Sequence, residues 1–176
     1  MSDAPEVAAV AALHESGHAI VAADLGWQVG EIDLEKCAIR PRDASVETLE
    51  RAEIDVAGDL AVLLAFDRTR LVKCGLFATI RHSDVELARY VRIARTGARF
   101  LKSASRGHAD DTEHAVACIC EAEPDADERE VISLYRSIEA EARDTLQRRW
   151  REVERLARVL VRRQQLHGKE FHWFDY

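Results

Sequence analysis

The sequence of 176 residues has few cysteines and no long apolar run. The four cysteines, Cys37, Cys74, Cys118 and Cys120, form no C-x-x-C pair, so their pattern does not indicate a disulfide framework. No apolar stretch approaches the roughly 18 residues that a membrane span requires, and no basic segment precedes an apolar one near the N-terminus. We therefore expect a cytoplasmic protein without a membrane partner.

An excess of positive charge is also lacking. The chain has 25 lysines and arginines against 32 aspartates and glutamates, a net charge of -7. Proteins that bind nucleic acid usually present a basic surface, so we expect no nucleic-acid partner. One basic segment, 148–163, interleaves arginines with apolar residues at helical spacing. This pattern favours a solvated helix face, with a polyanion site as the alternative.

Capping signals and apolar periodicity predict a mainly α-helical chain with a small sheet. The length suits a single domain over residues 1–176. Residues 29–40 alternate apolar and polar side chains between glycine and proline, which predicts a small sheet or hairpin. The predicted helices run from Asp3 to Gly26, from Ser45 to Phe66, from Ser83 to Gly97, from Asp111 or Thr112 to before Pro124, and over 127–166 as one helix or two broken near Arg143.

Two segments show no clear helical or strand period. Residues 67–81 carry apolar side chains without a regular spacing, and we expect irregular structure there. Residues 102–111 are polar and contain Gly107, so they are the best candidate for a mobile loop.

The clearest chemical motif is His14-Glu15-Ser16-Gly17-His18, an H-E-x-x-H sequence inside the first predicted helix. Residues four apart on a helix are offset by only about 40° and by about 6 Å along the axis, so both imidazoles can reach one metal ion. Neutral imidazole is a favoured zinc ligand. The motif therefore predicts a zinc site, and two histidines satisfied within the core are the alternative.

Glu15 points partly to the side of that helix face, so we expect it to reach a water on the metal rather than the metal itself. It would act as general base and then pass the proton to the leaving amine of a peptide bond. A catalytic zinc site also needs a third protein ligand. The motif does not identify this ligand, and the candidates include Asp55, Asp59, His82, Asp84, His108 and His114.

Several segments resemble the peptidase domain of the FtsH-type membrane AAA proteases. Residues 14–26, HESGHAIVAADLG, are similar to that family's active-site helix, which runs close to HEAGHALVA. Residues 54–66 resemble its helix in which a stretch of small residues precedes an acidic and apolar run, and residues 82–94, HSDVELARYVRIA, resemble its SNDLxxATxxA segment. The ending Leu166-x-Gly168-x-Glu170 resembles its closing pattern. In order, these matches span nearly the whole chain.

The resemblance implies a helical zincin-like domain and a zinc metalloendopeptidase. The aspartate of the third segment is a zinc ligand in that family, so the resemblance implies His14, His18 and Asp84 as ligands and Glu15 as catalytic base. The sequence lacks the family's ATPase module and transmembrane segments, and Ser83 replaces its asparagine. We therefore expect ATP-independent hydrolysis of short or unfolded polypeptides.

Other interpretations of the motif stay open. The domain could be a non-catalytic metal-binding or regulatory module, or a hydrolase of non-peptide bonds. Manganese, cobalt or iron could occupy the same ligands.

Two further groups of residues invite comparison with known kinds of site. His108, His114, Cys118 and Cys120 carry metal-ligating atoms that could form a second metal site. Cysteines two apart on a helix diverge and cannot share one metal, however, which favours a core role for one of them. The aromatic stretch 171–176 is expected to pack on the domain, with docking onto a partner or a second subunit of a homo-oligomer as the alternative.

Overall fold

The computed structural model describes residues 4–40, 48–69, 82–96 and 109–167. Within these ranges the chain forms six helices and one three-stranded antiparallel sheet, which confirms the predicted mainly α class with a small sheet. The elements in chain order are α1 (Ala4–Asp24), β1 (Gln28–Asp33), β2 (Cys37–Arg40), α2 (Thr48–Thr69), α3 (Asp84–Arg95), α4 (Ala109–Ala122), α5 (Glu128–Arg148), α6 (Trp150–Arg163) and β3 (Gln165–His167).

Helix α1 lies at the centre of the packing. Its apolar residues surround the axis instead of forming one stripe, as expected for a helix that is covered on several sides. It packs against α2, α6 and the sheet, while α2 also packs against α4 and α5. Residues 14–22 of α1 are all buried. The polar side chains in this stretch therefore need partners inside the protein.

Close contact between α1 and α2 depends on Gly17. A Cβ atom at this position would lie 2.4 Å from the Ala57 carbonyl oxygen and 2.8 Å from the Ala61 Cβ. The absence of a side chain thus allows the two helix backbones to approach each other beside the H-E-x-x-H motif. The next residue before it, Ser16, is fully buried and satisfies its hydroxyl by donating to the Ala12 carbonyl oxygen at 2.6 Å.

The sheet has the strand order β2-β1-β3. The first two strands form the hairpin predicted within residues 29–40, with an irregularity between Val29 and Glu31. Strand β3 pairs with β1 so that Leu166 lies opposite Ile32. Both side chains are buried in a second apolar cluster with Leu156 and Leu160 of α6. The sheet therefore covers one flank of α1 and α6.

The C-terminal part of the described chain corrects two predictions. The long helical segment breaks at Arg149 and not near Arg143. Residues 165–166, which were predicted to be helical, belong to β3 because Gln164 takes a left-handed conformation with φ of 65° and ends α6. Burial of Leu166 against the sheet then favours an extended chain.

Helix boundaries elsewhere agree in part with the predictions. Ser83 caps α3 through a capping box with Glu86, as predicted. Helix α4 begins at Ala109, so the end of the predicted loop 102–111 is helical, and α2 extends to Thr69 into the segment predicted to be irregular. The rest of both segments, His108 and the aromatic stretch 171–176 lie outside the described residues.

In the part of the chain with described structure, no helix combines the length and the apolar character that crossing a bilayer requires.

We expect Gly17→Ala to lower the free energy of unfolding by about 1 to 3 kcal/mol, because the added methyl group must push α1 and α2 apart. This loss should exceed the gain of about 1 kcal/mol in helix propensity. Urea denaturation of the metal-free protein would measure it. Gly30→Ala is the control, since its Cβ would come no closer than 3.4 Å to the Ala38 carbonyl oxygen. Equal stability of the Gly17 variant and the parent would contradict the packing described.

Candidate metal centre

The two motif histidines lie side by side on α1, as their spacing predicted. Their ring centroids are 4.5 Å apart in an edge-to-face arrangement, and their Nε2 atoms are 3.0 Å apart. Both side chains are buried, with 5% of His14 and 7% of His18 exposed. Two imidazole nitrogens therefore face one point in a region from which water is largely excluded.

The tautomer of His18 follows from its other nitrogen. His18 Nδ1 lies 2.7 Å from the backbone carbonyl oxygen of Ile54 on α2. Because a carbonyl oxygen only accepts hydrogen bonds, Nδ1 must carry the proton. In the neutral ring this leaves a lone pair on Nε2, directed at the point shared with His14.

A carboxylate of α2 lies beside the outer nitrogen of His14. His14 Nδ1 lies 3.3 Å from Asp59 Oδ1, and the Asp59 side chain is only 13% exposed. In a neutral ring, a proton on Nδ1 facing this carboxylate would likewise leave Nε2 as the nitrogen with the lone pair. Outer carboxylates and carbonyls of this kind orient imidazoles in metal sites and make them more basic.

Asp111 completes the group from the first turn of α4. Its Oδ2 atom lies 3.0 Å from His14 Nε2 and 3.4 Å from His18 Nε2. A carboxylate is favoured at a helix N-terminus because of the helix dipole. His14, His18 and Asp111 therefore bring two nitrogens and one oxygen together from α1 and α4.

The electrostatics of this group favour a positive charge at its centre. Burial disfavours a charged imidazole, but the hydrogen bonds of Asp111 and Asp59 outweigh it and raise the pKa of His14 to about 10. Burial and His14 likewise oppose a charge on His18, yet Asp111 raises its pKa as well. Burial would raise the pKa of Asp111, but hydrogen bonds from both histidines hold it well below its usual range. Protons or a metal cation can supply the charge.

Gly58 of α2 makes room for the histidine pair. A Cβ atom there would lie 2.5 Å from His18 Nε2 and 2.6 Å from His14 Cε1. Any larger residue would therefore displace both rings from their present positions. Gly17 of α1 thus leaves space for the backbone of α2, and Gly58 of α2 leaves space for the histidine rings of α1.

Glu15 lies between the two histidines in sequence and is also buried, with 7% of the residue exposed. Burial raises the pKa of its carboxyl group, while the charges of His18 and His14 lower it in part. A carboxylate whose pKa is raised toward neutrality accepts and returns protons more readily than an exposed one. Its burial and its raised pKa are the properties that a general base needs.

The structure does not bring Asp84 to the histidine pair, where the resemblance had placed it. Asp84 begins α3 and its side chain is 71% exposed, with Oδ1 at 2.9 Å from Arg136 Nη2 of α5. Among the described residues, the carboxylate beside both Nε2 atoms belongs to Asp111. The physical reason is topological, because α4 rather than α3 presents its N-terminus to α1 at this point.

The remaining candidates for the third ligand lie elsewhere. Asp59 contacts the outer nitrogen of His14, as described above. Asp55 and His114 contact each other, with Oδ2 and Nδ1 2.5 Å apart. His82 packs against the Tyr90 ring at a centroid distance of 5.8 Å, and His108 lies outside the described residues.

Asp111 was not among the predicted candidates, although the sequence contains a signal for it. Asp84 is followed four residues later by Ala88, and Asp111 is followed at the same spacing by Ala115. Both aspartates also lie in the first turn of a helix. An aspartate in the first turn with an alanine four residues later therefore occurs at both Asp84 and Asp111. Only the packing of the helices distinguishes which of the two lies beside the histidines.

The geometry of the three groups suits a divalent metal such as zinc. With ligand bonds of about 2.0 to 2.2 Å, a tetrahedral zinc ion separates its nitrogen and oxygen ligands by roughly 3.3 to 3.6 Å. The three separations of 3.0, 3.0 and 3.4 Å are close to this range. In addition, when both imidazoles are neutral, two lone pairs and a carboxylate face one another, an arrangement that a cation stabilises.

No protein-family model matches the chain, and no curated protein sequence resembles it significantly.

We expect Asp111→Asn to remove the zinc ion held at the histidine pair, about one ion per chain, whereas Asp84→Asn should leave the zinc content unchanged. Both changes remove one charge from the first turn of a helix, so they are matched in charge and helical context. Equilibration with zinc followed by gel filtration and elemental analysis would measure the content. Retention of zinc by Asp111→Asn together with loss in Asp84→Asn would contradict the assignment of Asp111.

We expect Asp59→Ala to weaken zinc binding by about 10- to 100-fold, because His14 loses the carboxylate that orients its ring. Competition with a chromophoric chelator would measure the dissociation constant. Glu53→Ala is the control, because it also removes a carboxyl group from α2. The acidic neighbours of this carboxyl group are Glu141, Asp24 and Glu50, and not the histidine pair. Equal weakening in both variants would indicate an effect of net charge and not of ring orientation.

Proposed function

We propose that the chain is a zinc metallopeptidase that uses His14, His18 and Asp111 as metal ligands and Glu15 as general base. The observation that carries this proposal is the convergence of two imidazole Nε2 atoms and one carboxylate, 3.0 to 3.4 Å apart, beside a buried glutamate. A site that served only to stabilise the fold would have no use for that glutamate. The H-E-x-x-H motif and its resemblance to the FtsH-type peptidases support the same reaction.

Zinc is the metal that best fits the donor set. Two imidazoles and one carboxylate are a common protein ligand set for catalytic zinc, which keeps a further position open. Manganese, cobalt and iron accept the same donors, so availability contributes to the choice. When bound, the metal would polarise the scissile carbonyl and make a water molecule more acidic.

The residues of the chain account for the movement of protons. Glu15 would take a proton from the attacking water and return it to the amine that leaves when the peptide bond breaks. Burial keeps its carboxyl pKa above the usual range, which makes the return step easier. Asp59 and the Ile54 carbonyl would hold the two imidazoles in their ligating tautomers throughout.

Short peptides and unfolded chains are the proposed substrates. Nothing in the 176 residues matches a phosphate-binding loop of the form GxxxxGK[ST], so this sequence supplies no motor for unfolding folded proteins. Asp111 is the most accessible of the three ligands, with 29% of its side chain exposed, and substrates would approach from its side. The free thiols of Cys118 and Cys120 fit a reducing compartment, and we propose the cytoplasm.

We expect Glu15→Gln to reduce peptide hydrolysis by at least about 100-fold while zinc content stays the same, because the amide cannot accept the proton. Cleavage of a fluorogenic peptide library and of a reduced, alkylated protein would measure the activity. Glu35→Gln, in the exposed hairpin turn, is the control.

The other outcomes distinguish the alternatives. A zinc-loaded parent that cleaves neither substrate would favour a metal-binding module without catalysis. Full activity in Glu15→Gln would contradict the role of this residue as base.

A further inference from the structure

A second group of potential ligands lies on α2 and α4. It consists of Asp55, His114 and Cys118, whose carboxylate oxygen, ring nitrogen and sulfur all lie within 4.8 Å of one another. His114 Nδ1 is 2.5 Å from Asp55 Oδ2 and 3.9 Å from Cys118 Sγ. The group shares no residue with the histidine pair of α1.

The chemistry of these atoms matches the preferences of zinc. Thiolate, imidazole and carboxylate are its three usual protein donors. His114 and Cys118 are four residues apart on α4, the spacing that places two side chains on one helix face. Cys120, two residues further, belongs to a different face and is not a member of the group, in agreement with the divergence predicted for the two cysteines.

The two distances from His114 require only a small adjustment to hold a metal. A tetrahedral zinc ion would separate the nitrogen and the sulfur by roughly 3.5 Å and the nitrogen and the oxygen by roughly 3.3 Å. The first separation is close to the observed one, and the second requires His114 and Asp55 to move apart by less than 1 Å when a metal replaces the proton between them. His114 can move, because 54% of its side chain is exposed.

The surroundings of the group fix its other two members. Asp55 is buried, and its Oδ1 atom accepts a hydrogen bond from Arg51 Nε at 2.9 Å, which leaves Oδ2 directed toward His114. Cys118 is also buried, with 7% exposed. Asp55 and Cys118 are thus fixed donors, whereas His114 is a movable donor at the surface. This arrangement allows a metal to enter from the surface. One coordination position of the bound metal then stays open toward solvent.

We propose that Asp55, His114 and Cys118 form a second binding site for zinc or a similar divalent metal, independent of the peptidase proposal. The rival explanation is an ordinary ion pair between His114 and Asp55 next to a core cysteine. The two explanations differ in whether the Cys118 sulfur bonds to a metal.

Cobalt binding tests this difference directly, because a thiolate bonded to Co²⁺ gives an intense charge-transfer band in the near ultraviolet. The site of His14, His18 and Asp111 contains no sulfur and cannot give that band. Co²⁺ would be titrated into the reduced, metal-free chain and into the variants Cys118→Ser, Cys120→Ser and Asp111→Asn. We expect the band in the parent, in Cys120→Ser and in Asp111→Asn, and its loss in Cys118→Ser.

Counting the bound Co²⁺ ions separates binding at this group from binding at His14, His18 and Asp111. The parent should bind two Co²⁺ ions, and Asp111→Asn should keep the one that gives the band. His114→Ala should lose the band as well, and circular dichroism would establish that each variant is folded. Absence of the band in the parent, or its persistence in Cys118→Ser, would overturn the proposal and leave the ion pair as the explanation.

Discussion

The contact between α1 and α2 determines both the packing of the helices and the position of the two motif histidines. Gly17 lets the helix backbones approach, and Gly58 leaves space for the two imidazole rings between them. At this short separation α2 can supply the Ile54 carbonyl to His18 and the Asp59 carboxylate to His14. Without these two outer partners, nothing described on α2 would select the tautomer of either ring.

Burial of so many polar groups is unfavourable in free energy, and interactions within the site must offset this loss. Imidazoles and carboxylates lose hydration when they enter the interior, and an unpaired one would destabilise the fold by several kcal/mol. The group resolves this by mutual pairing, and the raised pKa of His14, about 10, shows how strongly its surroundings favour a positive charge. A divalent cation would supply that charge without requiring either histidine to hold an extra proton. The proposed metal site therefore follows from the same forces that make the cluster stable.

Sequence reasoning succeeded where the determinants are local. The proximity of His14 and His18 follows from helical geometry alone, and the Ser83 cap follows from a pattern of four residues. Sequence reasoning failed where two distant segments have similar local sequences and only one of them reaches the site. Asp84 and Asp111 have similar local sequences, and only the packing of α4 against α2 brings Asp111 to the histidines. Strand β3 was missed for the same reason, since its extended form depends on pairing with β1, more than a hundred residues earlier.

Anomalous diffraction at the zinc absorption edge, from crystals of the zinc-loaded chain, tests most directly whether His14, His18 and Asp111 bind the metal. We expect a peak bonded to His14 Nε2, His18 Nε2 and a carboxylate oxygen of Asp111, at about 2.0 to 2.2 Å from each. A peak bonded to Asp84 in place of Asp111, or no peak at the histidine pair, would contradict this assignment.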